Sequence, residues 1–188
     1  MTAVERVMAA YRAIEAADRQ EIWIHLRPEP EALAEAEAVD RRADGPPLRG
    51  TVLAVKDNVD VAGMPTTAAC PEFAFLPESD AESVAALREA GAVVIGKTNL
   101  DQFATGLVGT RSPYGAVRDS LRPEYISGGS SSGSAVAVAL GLVDLAVGTD
   151  TAGSGRVPAA LQGIVGIKPT YGVVSTGASC PRARPMTA

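Results

Sequence analysis

The chain has 188 residues, a hydrophobic content of 46% and a formal net charge of −5 at pH 7. This length suits one domain or a piece of a larger one, with enough apolar residues to bury a core. The negative charge argues against nucleic-acid binding, which needs a basic face. No apolar run has the length of a membrane span and the N-terminus lacks a signal-peptide core, so we expect a soluble, cytoplasmic protein.

Hydrophobic spacing predicts helices that alternate with strands along the chain. The predicted helices cover 2–18, 29–41, 81–90, 133–141 and 157–163, and the predicted strands cover 51–61, 92–96, 145–147 and 164–168. This alternation is typical of an α/β layered fold whose sheet is largely covered. The segment 98–127 is rich in Gly, Pro, Thr and Ser. It is too long for a routine connection, and such loops are usually functional or disordered.

Two clusters of small hydroxyl residues and glycines flank the apolar run near residue 140. The first is "GGSSSGS" at 128–134 and the second is "GTDTAGSGR" at 148–156. Gly/Ser tracts also form flexible linkers, but a linker does not run directly into core-like sequence. We interpret the two clusters as loops that meet at one site.

The usual catalytic groups are scarce in this sequence. Its one histidine, His25, is predicted to be a surface or core residue, and Cys70 and Cys180 are predicted to be free thiols. The spacing of these residues gives no metal site, and "GGSSSGS" lacks the lysine ending of a phosphate-binding loop. We therefore expect neither a metal nor a cofactor, and look for a serine nucleophile with a base other than histidine.

Lys56 is a candidate for that base because it lies at the polar end of an apolar predicted strand. One interpretation is a surface lysine whose stem packs along the protein. The other is a desolvated lysine, whose neutral amine accepts a proton from a hydroxyl. Ser–Lys pairs are a known form of the nucleophile–base arrangement.

Ser154 is a candidate nucleophile in the second cluster. It lies in a Gly-rich turn, and Pro158 suits the first turn of the helix that follows. Backbone N–H groups in such a turn can point at one oxyanion. A plain helix-capping serine would have the same local sequence, so both interpretations stay open from these residues alone.

The motifs resemble the amidase signature family across roughly residues 48–176. The resemblance covers "GGSSSGSAVAVALGLVDLAVGTDTAGSGRVPAALQGIVGIKPTYG" together with the upstream blocks "TVLAVKDNVDVAGMPTTAAC" and "GKTNLDQFATG". It implies the family's layered α/β fold, with a mixed central sheet, helices on both faces and only part of the fold in this chain. It also implies a Ser–Ser–Lys triad, in which Lys56 is the base, Ser130 the bridging serine with a cis peptide bond, and Ser154 the nucleophile.

The same resemblance assigns roles to the neighbours of these residues. It places the oxyanion hole at the backbone N–H groups of Thr151, Ala152, Gly153 and Ser154. Supporting hydrogen bonds are expected from Ser131, Asp150 and Arg156.

Within the family, "GKTNLDQFATGLVGTRSPYGAVRD" is most similar to the allophanate hydrolases, which hydrolyse allophanate to ammonia and carbon dioxide in urea degradation. The resemblance implies a small amide substrate, a functional link to urea carboxylase and a homodimer in the full-length form. The amidase component of glutamyl-tRNA amidotransferase and a broad-specificity amidase are alternatives.

The predicted organisation has three parts. Residues 1–47 form an N-terminal helical segment, 48–176 the first half of the amidase core, and 177–188 an atypical tail. The tail does not resemble the family, and we hypothesise that a frameshift in the gene produced it. The alternative to an active amide hydrolase is a truncated fragment of one, without catalytic activity.

Overall fold

A four-stranded mixed sheet lies at the centre of the structure, a computed structural model that describes residues 1–177. Its strands are β1 (Trp23–Leu26), β2 (Val52–Lys56), β3 (Val93–Thr98) and β4 (Leu145–Val147), in the order β1-β3-β2-β4. β2 runs parallel to β3 and β4, whereas β1 is antiparallel to β3. The mixed α/β fold is therefore confirmed. Cys180 and most of the predicted tail lie outside the described residues.

In the described residues, five α-helices surround the sheet: α1 (Ala3–Ala17), α2 (Glu29–Asp40), α3 (Glu82–Glu89), α4 (Ser132–Ala139) and α5 (Arg156–Leu161). Each confirms a predicted helix to within a few residues. Short 3-10 helices cover Gln20–Ile22, Pro71–Phe73 and Gln102–Ala104. Within residues 1–177, none of the helices combines the length and apolar character needed to cross a bilayer.

Local sequence explains where the helices begin and end. The Thr2 hydroxyl accepts the N–H of Glu5, and the Glu5 side chain accepts the N–H of Thr2, so a capping box starts α1. Gly91 ends α3 with φ +98°, a conformation that favours glycine. A side chain at position 91 would also approach the Pro46 ring to 2.8 Å.

The alternating side chains of β2 and β3 build one hydrophobic cluster on each face of the sheet. Val52 and Ala54 join the cluster that contains α1, α2 and α4, while Leu53 and Val55 join the cluster that contains α3. Helices on both faces are thus confirmed. Both faces of β2 are fully buried, which explains the apolar run from Val52 to Val55 that precedes Lys56.

The structure corrects the predicted strands in three places. The segment 164–168 is not a strand: no strand pairs with it in the described structure, and Val165 and Ile167 are 86% and 87% exposed. β2 is shorter than predicted because the chain turns after Lys56, whose carbonyl accepts the N–H of Val59. β1 was not predicted, since four residues carry little periodicity and their pairing with β3 is a tertiary contact.

Candidate active site

Lys56 lies at the carboxyl end of β2 with its side chain fully buried. Its Nζ donates to Ser130 Oγ at 2.8 Å and to Thr149 Oγ1 at 2.7 Å. The partners come from loops more than 70 residues further along the chain, so the fold brings them together at the end of the strand. Of the two interpretations of Lys56, the surface lysine is excluded.

Burial determines the protonation of this amine. Desolvation lowers the pKa of Lys56 from 10.5 to about 7, although Asp101 and Asp150 oppose the shift through their charges. Neither of these carboxylates forms an ion pair with Lys56. A large fraction of the Lys56 amine is therefore neutral near pH 7, with a lone pair available to accept a proton.

Ser130 lies in the loop that leads into α4, and its side chain is fully buried. The peptide bond between Gly129 and Ser130 is cis, as the family resemblance implies. The N–H of Asp101 donates to the Ser130 carbonyl at 3.2 Å. A Cβ atom on residue 129 would lie 2.2 Å from Asp101 Oδ2, so only glycine fits beside this buried carboxylate.

Ser154 lies in the loop between β4 and α5 and is 6% exposed. The N–H of Ser131 donates to its carbonyl at 3.0 Å, which joins the two loops beside Ser130. Ser131 also donates its hydroxyl to the Thr149 carbonyl at 3.2 Å. Within residues 1–177, the Ser154 hydroxyl has no hydrogen-bond partner. Lys56 and Ser130 are thus joined directly, whereas Ser154 is joined through its backbone to Ser131, the residue after Ser130.

Asp150 organises the Ser154 loop. Its carboxylate accepts N–H groups from Gly153 at 2.8 Å, Gly155 at 3.2 Å and Arg156 at 3.1 Å, and pairs with the Arg156 guanidinium at 2.9 Å. Burial alone would raise the pKa of Asp150. The hydrogen bonds from Arg156 and from the loop N–H groups together outweigh this effect, so the pKa of Asp150 lies well below its ordinary value. These charge-assisted hydrogen bonds link residues 150, 153, 155 and 156 and so restrain the loop.

The four expected oxyanion donors differ in their hydrogen bonding. The N–H of Gly153 is already bound to Asp150. In the described part of the chain, no acceptor binds the N–H groups of Thr151, Ala152 or Ser154. Three N–H groups in one short loop are therefore free to bind a ligand oxygen.

The structure places three further polar residues around the site that the sequence motifs did not single out. Thr149 Oγ1 accepts from both Lys56 and Asn58, the latter at 3.3 Å. Asp101 is fully buried and accepts the N–H groups of Gly109 and Arg111 at 3.0 and 2.9 Å. Thr149 lies in the second hydroxyl cluster, and Asn58 and Asp101 lie in the two upstream blocks that resemble the family, but no pattern in the sequence marked any of the three individually.

His25 does not join the serine loops. It lies in β1 opposite Lys97 of β3, and burial and the Lys97 charge lower its pKa. Cys70 is a free thiol, as predicted. Residues 1–177 contain no cluster of three or more side chains that could ligate a metal.

Comparison with known proteins identifies the family to which this chain belongs. The sequence model of the amidase family matches residues 5–187, and the chain belongs to this family. Urea amidolyase of Saccharomyces cerevisiae is 60% identical over 140 residues, which are 74% of this chain and 8% of that protein. The matching component of glutamyl-tRNA(Gln) amidotransferase from Methanospirillum hungatei is 51% identical over 133 residues, 70% of this chain and 31% of that protein.

A solved structure of the same family has a similar fold. The Kluyveromyces lactis allophanate hydrolase superposes with a TM-score of 0.76 at 48% identity, over 85% of this chain and 27% of that one. The chain therefore spans about a quarter of that structure and a smaller share of the yeast urea amidolyase.

Proposed function

We propose that this chain hydrolyses an amide with Ser154 as the nucleophile, Ser130 as a proton relay and Lys56 as the base. The observation that carries the proposal is the buried 2.8 Å hydrogen bond between Lys56 and Ser130, together with a Lys56 pKa of about 7. A neutral lysine beside a serine is one of the arrangements that activate a hydroxyl. In this proposal residues 48–176 form the first half of the amidase core and residues 1–47 a helical segment that packs on it.

The proposed reaction has two stages, formation of an acyl-enzyme and its hydrolysis. Ser154 Oγ attacks the amide carbonyl carbon, and its proton passes to Ser130 Oγ while the Ser130 proton passes to Lys56 Nζ. The carbonyl π electrons move to the oxygen, which becomes an oxyanion. When the C–N bond breaks, the proton returns through Ser130 to the leaving nitrogen. Water then hydrolyses the acyl-Ser154 ester with the same relay as base.

Thr149 directs the lysine lone pair in this scheme. Its Oγ1 accepts one N–H of Lys56 at 2.7 Å, which leaves the Ser130 side of the amine for proton transfer. The proposal requires the Ser154 hydroxyl to form a hydrogen bond with Ser130 Oγ in the substrate complex. Hydrogen bonds of this type often form only when substrate is bound.

The free N–H groups of Thr151, Ala152 and Ser154 are proposed to stabilise the oxyanion. The Gly153 N–H contributes only if its hydrogen bond to Asp150 is exchanged for the substrate oxygen. Asp150 and Arg156 hold the loop, and Ser131 fastens it to the Ser130 loop. Preorganised donors of this kind need no rearrangement as charge develops.

Allophanate is the proposed substrate. The support is the 60% identity to a urea amidolyase and the similarity to a solved allophanate hydrolase. A functional link to urea carboxylase and a cytoplasmic location belong to the same proposal. The second candidate is the glutaminase reaction of a glutamyl-tRNA amidotransferase, which the 51% identity to the Methanospirillum hungatei protein favours.

Ammonia release by the purified 188-residue chain tests this function, with allophanate and glutamine as separate substrates. We expect release from allophanate, and a loss of about 10⁴-fold or more in S154A, since removal of a nucleophile has effects of this size. S132A is the matched control, because the Ser132 hydroxyl makes only a 3.4 Å contact with the Asn99 carbonyl. A folded chain that releases no ammonia would favour an inactive fragment, and release from glutamine alone would favour the second candidate.

A further inference from the structure

Asn58 lies in the turn that follows β2, two residues after the proposed base, and is 1% exposed. Its Nδ2 donates to Thr149 Oγ1 at 3.3 Å, and the same oxygen accepts Lys56 Nζ at 2.7 Å. We propose that Asn58 is a positioning residue whose side-chain amide, by turning over, directs the lone pair of Lys56 toward Ser130. This inference rests on the proposed amide hydrolysis, because it concerns the orientation of the base in that reaction.

The Asn58 amide is buried but only partly hydrogen-bonded. Within residues 1–177 its Oδ1 has no hydrogen-bond partner, although the atom is shielded from solvent. An unpaired buried polar atom destabilises a fold. The turn itself does not need asparagine, because the Lys56 carbonyl accepts the N–H of Val59 and the backbone of Asn58 has no positive φ. A leucine of similar shape would avoid the cost, so stability alone does not explain the amide.

The lone pair of a neutral Lys56 has two possible directions. The amine then has two hydrogens and one lone pair, and its neighbours are Ser130 Oγ at 2.8 Å and Thr149 Oγ1 at 2.7 Å. If Ser130 donates to the lone pair, Nζ donates to Thr149, and Ser130 can pass its proton to Lys56. If Thr149 donates to the lone pair instead, Nζ donates to Ser130 and this proton transfer is blocked. The destination of the Thr149 hydroxyl hydrogen therefore decides between the two arrangements.

Asn58 determines where that hydrogen goes. In the described residues, the hydrogen-bond partners of Thr149 Oγ1 are Lys56 Nζ and Asn58 Nδ2. Since Nδ2 can only donate, this orientation leaves Lys56 as the one acceptor for the Thr149 hydrogen. Half a turn about the Cβ–Cγ bond of Asn58 exchanges Nδ2 and Oδ1, which are nearly equal in size. Oδ1 then accepts the Thr149 hydrogen, and the lone pair of Lys56 is left for Ser130.

The amide can adopt either orientation because no other side-chain hydrogen bond fixes it within residues 1–177. Before the turn, Nδ2 makes one hydrogen bond of 3.3 Å and Oδ1 makes none. After the turn, Oδ1 accepts the Thr149 hydroxyl, and Nδ2 occupies the place without a partner. The exchange replaces one long N–H···O bond with one O–H···O bond. The unpaired end of Asn58 is therefore what leaves the amide free to turn.

The rate at which a fluorophosphonate modifies Ser154 tests this role at about pH 9, where most of the Lys56 amine is neutral. N58L removes the acceptor, so the Thr149 hydrogen should point at Lys56. The rate should then fall about 10-fold to 100-fold, the effect of one hydrogen bond on an equilibrium. N58L/T149V lacks the competing hydroxyl and should react faster than N58L. N58L/T149S is the matched control, because it keeps the hydroxyl and should stay as slow as N58L.

Urea unfolding separates a positioning role from a structural one. N58L should be at least as stable as the wild type, because it removes an unpaired oxygen and one long hydrogen bond. A less stable N58L whose rate T149V does not restore would assign Asn58 a structural role and overturn the proposal.

Failure of this inference and failure of the proposed function give different results. A Ser154 adduct that forms equally fast in N58L and in the wild type would overturn the role of Asn58 alone. Modification that persists in S154A would overturn the proposed function, and the role of Asn58 with it.

Discussion

At the scale of single residues, the burial of Lys56 has the largest chemical consequence. A lysine in water would be protonated near pH 7, and a protonated amine cannot accept the Ser130 proton. Enclosure at the end of β2 lowers the pKa to about 7, while Ser130 and Thr149 provide its hydrogen bonds. The same desolvation that creates the base also makes this position unfavourable for a charge.

We predict that Lys56 makes the stability of the fold dependent on pH. Between about pH 7 and 10.5, the unfolded chain holds a proton on Lys56 that the folded chain has released. The free energy of unfolding contributed by this residue therefore rises with pH across that window. K56M lacks this titration, so its free energy of unfolding relative to the wild type should be highest near pH 7 and fall toward pH 10.

Urea denaturation at about pH 7 and about pH 9.5 measures the free energy of unfolding of K56M and of the wild type. The difference between the two proteins should change by a few kcal/mol between these pH values, since one pKa unit corresponds to about 1.4 kcal/mol. K168M serves as the matched control, because Lys168 is exposed. A constant difference between K56M and the wild type at both pH values would show that Lys56 is not desolvated.

Sequence reasoning identified Lys56 as a base candidate because a lysine is unusual at the end of an apolar strand. It did not identify Thr149 or Asp101, since their contacts with the site are formed by residues far away in the sequence. A threonine among other hydroxyl residues has no pattern that marks it as a partner of Lys56. Such residues become visible only when the loops are folded together.

At the scale of elements, α4 and its preceding loop position the relay serine against the sheet. Gly133, in the first turn of α4, donates its N–H to the Asn99 carbonyl at 3.0 Å. A Cβ atom there would lie 2.4 Å from the Ile22 carbonyl oxygen and 2.7 Å from the Asn99 nitrogen. These neighbours are backbone atoms that cannot rotate away, so glycine is required for the helix to pack this closely.

G133A is therefore expected to destabilise the fold by about 1–3 kcal/mol, the usual cost of overpacking. G177A is the control, since its added Cβ would meet only side-chain atoms, at 3.3 Å or more. Thermal or urea unfolding compares the two variants. Equal stabilities would mean that α4 does not lie so close to the Gln20–Ile22 turn.

A buried ion pair holds the turn after β2. Lys97 Nζ lies 3.2 Å from Asp57 Oδ1, with both side chains fully buried, and also donates to the Pro65 carbonyl at 3.0 Å. Burial lowers the pKa of Lys97, and the Asp57 charge opposes this shift. Since Asp57 follows Lys56 directly, the pair also restrains the proposed base.

D57N should destabilise the chain by about 3–5 kcal/mol, because it leaves a buried charge without its partner. D57N/K97M should recover much of that loss, since neither charge remains. E37Q is the control, because the Glu37–Arg41 pair is exposed and should contribute less than about 1 kcal/mol. The free energy of unfolding is measured for all three variants. A loss of stability in D57N no larger than that in E37Q would contradict a stabilising role of the Lys97–Asp57 pair.

Sequence patterns predicted the helices and strands whose apolar residues repeat at regular spacing within one short segment. α1, α2 and the apolar runs that begin β2 and β3 follow directly from side-chain spacing. β1 was missed because its pairing partner, β3, lies about 70 residues away. The apolar 164–168 segment was predicted as a strand, but a strand also needs a neighbour for its backbone groups.

At the scale of the whole molecule, apolar surface is distributed unevenly. Both faces of β2 and β3 are packed, whereas the segment after α5 exposes several large apolar side chains: Val165, Ile167, Tyr171, Val173 and Val174. Apolar surface in contact with water contributes nothing to the free energy of folding. Exposed apolar surface also favours association.

V165S/I167S is therefore expected to change the free energy of unfolding of the 188-residue chain by less than about 0.5 kcal/mol per site. V94S, at a fully buried position of β3, should cost about 2 kcal/mol or more. Light scattering should also show less self-association in V165S/I167S than in the wild type. A loss of stability as large as that of V94S would show that the segment is packed.

The most direct test of the proposed mechanism is the rate at which a fluorophosphonate modifies the chain, followed by mass spectrometry as a function of pH. The proposal predicts one adduct, on Ser154, with a rate that rises as the pH passes about 7 and the Lys56 amine becomes neutral. K56M should slow the modification by about 10²-fold or more, the contribution of a general base. An adduct on another residue, or an equal rate in K56M, would contradict it.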